Sequence, residues 1–118
     1  MKVLRSAAYQ RMPWKNGGGE TTEILVSPQG AALSDFDWRI SMALVNADGP
    51  FSAFPGIDRT LSILEGAGIT LTIASVPHIL TLSSPPLPFP GDAPAHAVLI
   101  GGPITDLNVD LTDFLYQS

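Results

Sequence analysis

The residues best equipped for chemistry stand where a loop enters a strand. Asp58 and Arg59 follow the turn-rich run DGPFSAFPG (48–56) and precede TLSIL. A guanidinium offers five donors in a rigid fork that suits two-point capture of a carboxylate, and a partly buried one needs an acceptor. Two readings are open. In one, Asp58 and Arg59 form an ion pair that only positions the loop. In the other, Arg59 points into a pocket and Asp58 holds its fork.

A second arginine lies on the clearest strand of the chain, Asp37 to Val45. Period-two alternation puts Trp38, Ile40, Met42 and Leu44 on one face and Arg39, Ser41 and Ala43 on the other. The large apolar set is expected between sheets. Arg39 and Ser41 then lie either in solvent, the commoner place for an arginine, or in a polar lumen.

The run RMPWKNGGGETTE (11–23) sets Trp14, Lys15 and Asn16 beside three glycines. It is either a flexible hairpin loop or a loop where missing Cβ atoms let a ligand or another backbone approach the main chain. Lys15 precedes the glycines and no GK[ST] follows, so this is not a Walker-type phosphate loop. The chain has no cysteine, which removes thiolate chemistry, disulfides and Cys-type metal sites. His78 and His96 are 18 residues apart with no HxH pair, and each reads as a surface or edge residue. Asp58, Glu65, Lys15 and the histidines are available for acid or base work. No nucleophile–base spacing, oxyanion loop or cofactor fingerprint accompanies them.

These residues need a scaffold of short strands. At 118 residues the chain is expected to form one domain. Eleven glycines and eleven prolines, spread along it, point to an all-β fold. Strands are expected at Lys2–Arg5, Thr21–Ser27, Asp37–Val45 and from Arg59 to the turn Glu65–Gly68. Further on, Ile69–Ile73 and Pro77–Leu82 form a hairpin, and His96–Ile100 and Asp106–Val109 resume strand character. Ala31–Phe36 holds a helical turn at most. The proline-dense run Ser83–Pro94 belongs on a sheet edge or over a barrel mouth, and Asp110–Ser118 carries no pattern. A net charge of −5 argues against nucleic acid or an anionic membrane as partner. No apolar run approaches a membrane span and MKVLRSAAYQR lacks a signal-peptide core, so a soluble, cytoplasmic protein is expected.

Four blocks together resemble the HutD and Ves family of the cupin superfamily: MPWKNGGGETTEI (12–24), DFDWRISMALV (35–45), DGPFSAFPGIDRTLSILEGAG (48–68) and GPITDLNV (102–109). The resemblance implies a single cupin-like antiparallel β-barrel or jelly roll over 1–118, with a divergent tail at 110–118. Family members continue past the last block with further strands, so this chain reads as a C-terminally shortened member. The barrel is then expected to be closed by a partner subunit in a homo-oligomer, or by a strand from the tail.

Many cupins bind a metal, but the residues here predict no metal and no cofactor. The resemblance implies a HutD-type protein that binds a small anionic metabolite, sensing or buffering a histidine-degradation intermediate such as formylglutamate or urocanate. For such ligands Arg59 and Arg39 are expected to hold carboxylates, with Asp58 behind and Ser41 beside them. Asn16 and Asn108 read amide or formyl groups, and Trp14 walls the pocket. The alternatives are a cofactor-free cupin enzyme acting on a small polar metabolite, and a structural or stress-associated interaction protein.

Overall fold

Alternating side chains punctuated by glycine and proline give ten strands and no helix among the described residues of the computed structural model, which are 10–14, 17–28, 31 and 36–112. In chain order the strands are β1 (Gln10–Pro13), β2 (Gly19–Ser27), β3 (Trp38–Val45), β4 (Gly49–Pro50) and β5 (Ile57–Glu65). They continue with β6 (Ile69–Ile73), β7 (Val76–Leu80), β8 (Leu87–Pro90), β9 (Ala95–Leu99) and β10 (Ile104–Thr112). The expected strand at Lys2–Arg5 and most of the Ala31–Phe36 connector lie outside the described residues.

Two antiparallel sheets face each other across the interior. One is ordered β1-β2-β3-β10-β5-β8 and the other β4-β9-β6-β7. The turn after β5 carries the chain from the first sheet to the second. Gly66 makes this possible, with φ +97° and a position where a Cβ would lie 2.6 Å from the Pro103 carbonyl oxygen. Strands β6 and β7 form the expected hairpin, joined by Ala74 and Ser75 at φ 47° and 72°. Two successive left-handed residues match the right-handed twist of the flanking strands. The proline-dense run supplies β8, the outermost strand beside β5, where Pro88 and Pro90 break no ladder on a second side.

Residues on the facing sides fill one part of the interior. Leu61, Ile63, Ile69, Leu71, Ala97 and Ile104 are at the centre of this core, with Phe89 and Leu80 closing it. Burying each large side chain contributes about 1.5–3 kcal/mol.

Two expectations are corrected by the sheet. On β3 the inward face is the smaller one: Arg39, Ser41, Ala43 and Val45 are buried, whereas Leu44 is 42% exposed. The reason lies in β10, whose register sets Asp110 opposite Arg39, Asn108 opposite Ser41 and Asp106 opposite Ala43. Asp110 on this strand and Glu23 on β2 give Arg39 the partners that solvent would otherwise supply. The second correction concerns the start of the tail, since β10 runs to Thr112 at the centre of its sheet and Asp110 is fully buried, while 113–118 lie outside the described residues.

Candidate functional site

The polar part of the interior is built in rungs across the larger sheet. Antiparallel registers place Arg39, Asp110 and Arg59 on one inward rung. Glu23, Ser41, Asn108 and Leu61 form the next, and Thr21, Ala43, Asp106 and Ile63 the one after. Successive rungs lie about 6–7 Å apart along the strands. The alternation of β10 therefore delivers Asp110, Asn108 and Asp106 to one face, with Leu107, Val109 and Leu111 on the other.

Asp110 sits between the two guanidiniums. Arg59 Nε donates to Asp110 Oδ1 at 3.3 Å, and Arg39 Nη1 is 3.7 Å from Oδ2. Arg59 also donates from Nη2 to Asn108 Oδ1 at 3.2 Å and from Nη1 to the Ser52 carbonyl at 3.1 Å. Its guanidinium lies 4.9 Å from the ring centroid of Phe54, 5.4 Å from Phe89 and 5.9 Å from Phe51, within reach of cation–π attraction. Arg39 donates from Nε to Glu23 Oε1 at 3.0 Å. Among the described residues its terminal nitrogens make no hydrogen bond.

Above these residues is a chamber of about 540 Å³. Its polar lining comprises Arg39, Arg59, Ser41, Asn108, Asp106, Thr21 and Ser52. Trp14, Phe51, Phe54 and Met12 provide much of the apolar wall. Asp110 and Glu23 do not line it. Both arginines thus belong to the lining, whereas the carboxylates that Arg39 and Arg59 donate to do not.

The walls are held by short backbone bonds. Phe51 N donates to the Ala95 carbonyl at 2.9 Å and Phe54 N to the Gly91 carbonyl at 2.7 Å, which pins the loop of aromatics over the Arg59 rung. Trp14 is fixed by its indole N–H, which donates to Thr21 Oγ1 at 2.8 Å, and by an edge contact with Phe51. Its ring lies against Gly19, where a Cβ would run into the Leu44 carbonyl and the Trp14 ring. Here the glycine-rich run serves close approach of an aromatic side chain to the main chain.

Asp106 is 0% exposed. Burial pushes its carboxyl up to about 7, against the pull of the Asn108 side chain and of the Arg59 charge. Asn108 Nδ2 donates to Asp106 Oδ1 at 2.7 Å, so a continuous chain of bonds runs from Arg59 through Asn108 to Asp106. Burial also pushes the Asp110 carboxyl upward, and the charges of Arg59 and Arg39 pull it back.

Of the residues singled out from the sequence, Arg39, Arg59, Ser41, Asn108 and Trp14 come together on the chamber wall. Asp58 does not. It precedes Arg59 on the strand, points to the opposite face and is exposed, and the fork it was expected to hold is held by Asp110. Asn16 and Lys15 lie outside the described residues. Asp106, Asp110 and Glu23 were missed, as were Phe51 and Phe54 as partners of Arg59. The spacing Asp106-x-Asn108-x-Asp110, with apolar residues between, was the available signal.

A sequence profile described as HutD matches residues 6–116. An uncharacterized 21.2 kDa protein in the hutC 3′ region of Pseudomonas putida is 38% identical over 109 residues, covering 92% of this chain and 57% of its own length. Protein Ves of Citrobacter koseri is 39% identical over 105 residues, covering 85% of this chain and 53% of that protein. The chain spans about half the length of these curated relatives. HutD from Pseudomonas fluorescens SBW25 (formate condition) superposes with a TM-score of 0.84 at 40% identity, over 94% of this chain and 60% of that one. The cupin domain of Schizosaccharomyces pombe Cnp3, at 12% identity and a TM-score of 0.65 over 82% and 66% of the two chains, shares the fold alone.

A cupin barrel invites a test for a metal, and the residues present do not fit one. The chamber wall offers a single carboxylate, Asp106, beside two guanidiniums that would repel a dication. His96 is exposed and His78 lies on the edge strand β7. Among the described residues no three of His, Cys, Asp and Glu converge.

Proposed function

Since this chain belongs to the HutD family, we propose that its cupin barrel is a metal-independent receptor for a small carboxylate metabolite. The observation that carries the reading is the placement of Arg39 and Arg59. Both are nearly buried, at 4% and 7% exposure, both line the chamber, and the carboxylates paired with them are not part of its lining. A guanidinium in a confined, partly desolvated space binds an anion more strongly than one in water. The Arg39 terminal nitrogens are the donors best placed to do so.

The names of the relatives link the family to histidine utilization. On that basis formylglutamate and urocanate are the first ligands to try, in a cytoplasmic protein that senses or buffers such an intermediate. The net charge of −5 favours a small molecule over nucleic acid as partner. The test is calorimetric titration of formylglutamate and urocanate, in chelator-treated protein and again with added divalent metal. Saturable binding that does not change with metal supports the reading. Binding that appears only with metal, or no binding of any small carboxylate, contradicts it.

A second reading, a cofactor-free enzyme, is favoured by one observation. The Asp106 carboxyl, lifted to about 7, is poised for proton transfer at neutral pH. Product formation from a bound ligand, followed by NMR, decides for it, and ligand recovered unchanged decides against it.

A further inference from the structure

The arginine pole leaves two buried oxygens of chamber-lining residues without a partner. Ser41 Oγ and Asp106 Oδ2 both belong to lining residues, and neither has a hydrogen-bond partner among the described residues. Their residues are 1% and 0% exposed. Buried polar groups are nearly always paired, because an unpaired one loses its bonds to water and gains nothing in exchange. A pair of orphans on one chamber wall therefore points to a bond made by something that enters the chamber.

The geometry around them is specific. Ser41 and Asp106 occupy neighbouring strands on adjacent rungs, the diagonal relation that sets residues about 7–8 Å apart. Asn108 fixes Asp106 through Oδ1 and the Ala43 backbone N–H also pulls on this carboxylate, but no donor reaches Oδ2 within hydrogen-bonding geometry. Asp110 also has an unpaired oxygen, Oδ2, but it lies 3.7 Å from Arg39 Nη1 and its residue does not line the chamber. Only the Ser41 and Asp106 atoms remain for a ligand.

We propose that Ser41 and Asp106 form a second pole of the chamber, which receives an O–H or N–H donor carried by the same small acid whose carboxylate meets the arginines. This rests on the carboxylate reading of Arg39 and Arg59. It narrows the ligand class to short acids with a hydroxyl, amide or amine on the far side from the carboxylate. Asp106 Oδ2 accepts the donor when ionised, and Ser41 Oγ accepts or donates as the group requires. Because burial lifts the Asp106 carboxyl to about 7, the acceptor is fully developed in mildly alkaline solution.

The experiment is calorimetric titration at about pH 8.5, chosen to keep Asp106 ionised, with matched pairs of acids. Glycolate is set against propanoate, 3-hydroxypropanoate against butanoate, and 4-hydroxybutanoate against pentanoate, so that each pair exchanges a hydroxyl for a methyl group. In the wild-type protein at least one hydroxy acid is expected to bind about tenfold or more tightly than its methyl partner, the worth of one charge-assisted hydrogen bond. In Ser41→Ala and in Asp106→Leu the ratio within that pair is expected to fall to about twofold or less. Ser41→Ala removes one oxygen and preserves the fold if Asp106→Leu does not. Binding of the methyl acids with no preference in any pair overturns the second pole and leaves the arginine site standing. A preference that survives in both variants also overturns it. Failure of every acid to bind overturns both poles together.

Discussion

Arg59 and Asp110 are 51 residues apart in the chain, yet Arg59 Nε donates to Asp110 Oδ1 at 3.3 Å in the interior of the barrel. Asp110 also lies beside Arg39, so one fully buried carboxylate balances parts of two guanidiniums. It acts as the base on which the arginine-bearing wall of the chamber is assembled. Removing one partner of a buried ion pair leaves an uncompensated charge, which typically costs about 3–5 kcal/mol. Asp110→Ala is accordingly expected to lose about that much stability, read as a lower urea midpoint with an unchanged slope.

Arg59→Lys separates charge from shape. The lysine keeps a cation on the rung but loses the planar fork that reaches Asp110, Asn108 and the Ser52 carbonyl together. Calorimetry is expected to show carboxylate affinity reduced by about 2–5 kcal/mol. Equal affinity in the variant and the wild-type protein would remove Arg59 from the site.

Asp106 predicts a pH dependence of stability with a defined sign. Its folded value of about 7 lies above the unfolded value of 3.8, so between them the folded chain holds a proton that the unfolded chain has released. The contribution is fully present below the unfolded value and is lost as pH rises through the folded one. At 1.36 kcal/mol for each tenfold change the difference is on the order of 4 kcal/mol. Asp106→Asn imitates the neutral form and is expected to be more stable than wild type at pH 8. The gap should narrow as pH falls from 7 and close only as pH approaches 3.8, as measured by denaturant unfolding across the pH range.

Gly19 tests the chamber wall. In Gly19→Ala the new methyl would meet the Leu44 carbonyl and the Trp14 ring. Overpacking of this kind typically costs about 1–3 kcal/mol. Displacement of Trp14 from Thr21 should appear as a change in tryptophan emission together with the lowered melting temperature. Unchanged emission and stability would show that Trp14 does not rest on this residue.

The parts of the fold legible in the sequence were those governed by local backbone chemistry. The hairpin at Ala74–Ser75, the turn at Gly66 and the edge position of Leu87–Pro90 follow from turn residues and from proline's missing donor. Period-two alternation brought Arg39 and Ser41 onto one face and Arg59 onto the same face as Leu61 and Ile63. Which face turned inward was not legible on β3, because apolarity usually marks the inside and here the inner face is polar. On β10 the strand at Asp106–Val109 was legible and Asn108 was singled out through the resemblance, but the burial of Asp106 and Asp110 and the extension to Thr112 were not. Only a partner strand at matching register supplies the charges that permit this burial. Such pairing joins residues about 40–70 positions apart, as between β10 and β5 or β3, and is absent from any local pattern.

The most direct test of the central claim observes the guanidiniums themselves. In nitrogen-15-labelled protein the Nε–H resonances of Arg39 and Arg59, assigned by Arg39→Lys and Arg59→Lys, would be followed during titration with formylglutamate and with urocanate. Both resonances are expected to shift and saturate together with at least one of the two ligands. Saturable binding that leaves both arginine resonances in place, with shifts confined to the outer faces of the sheets, would contradict it.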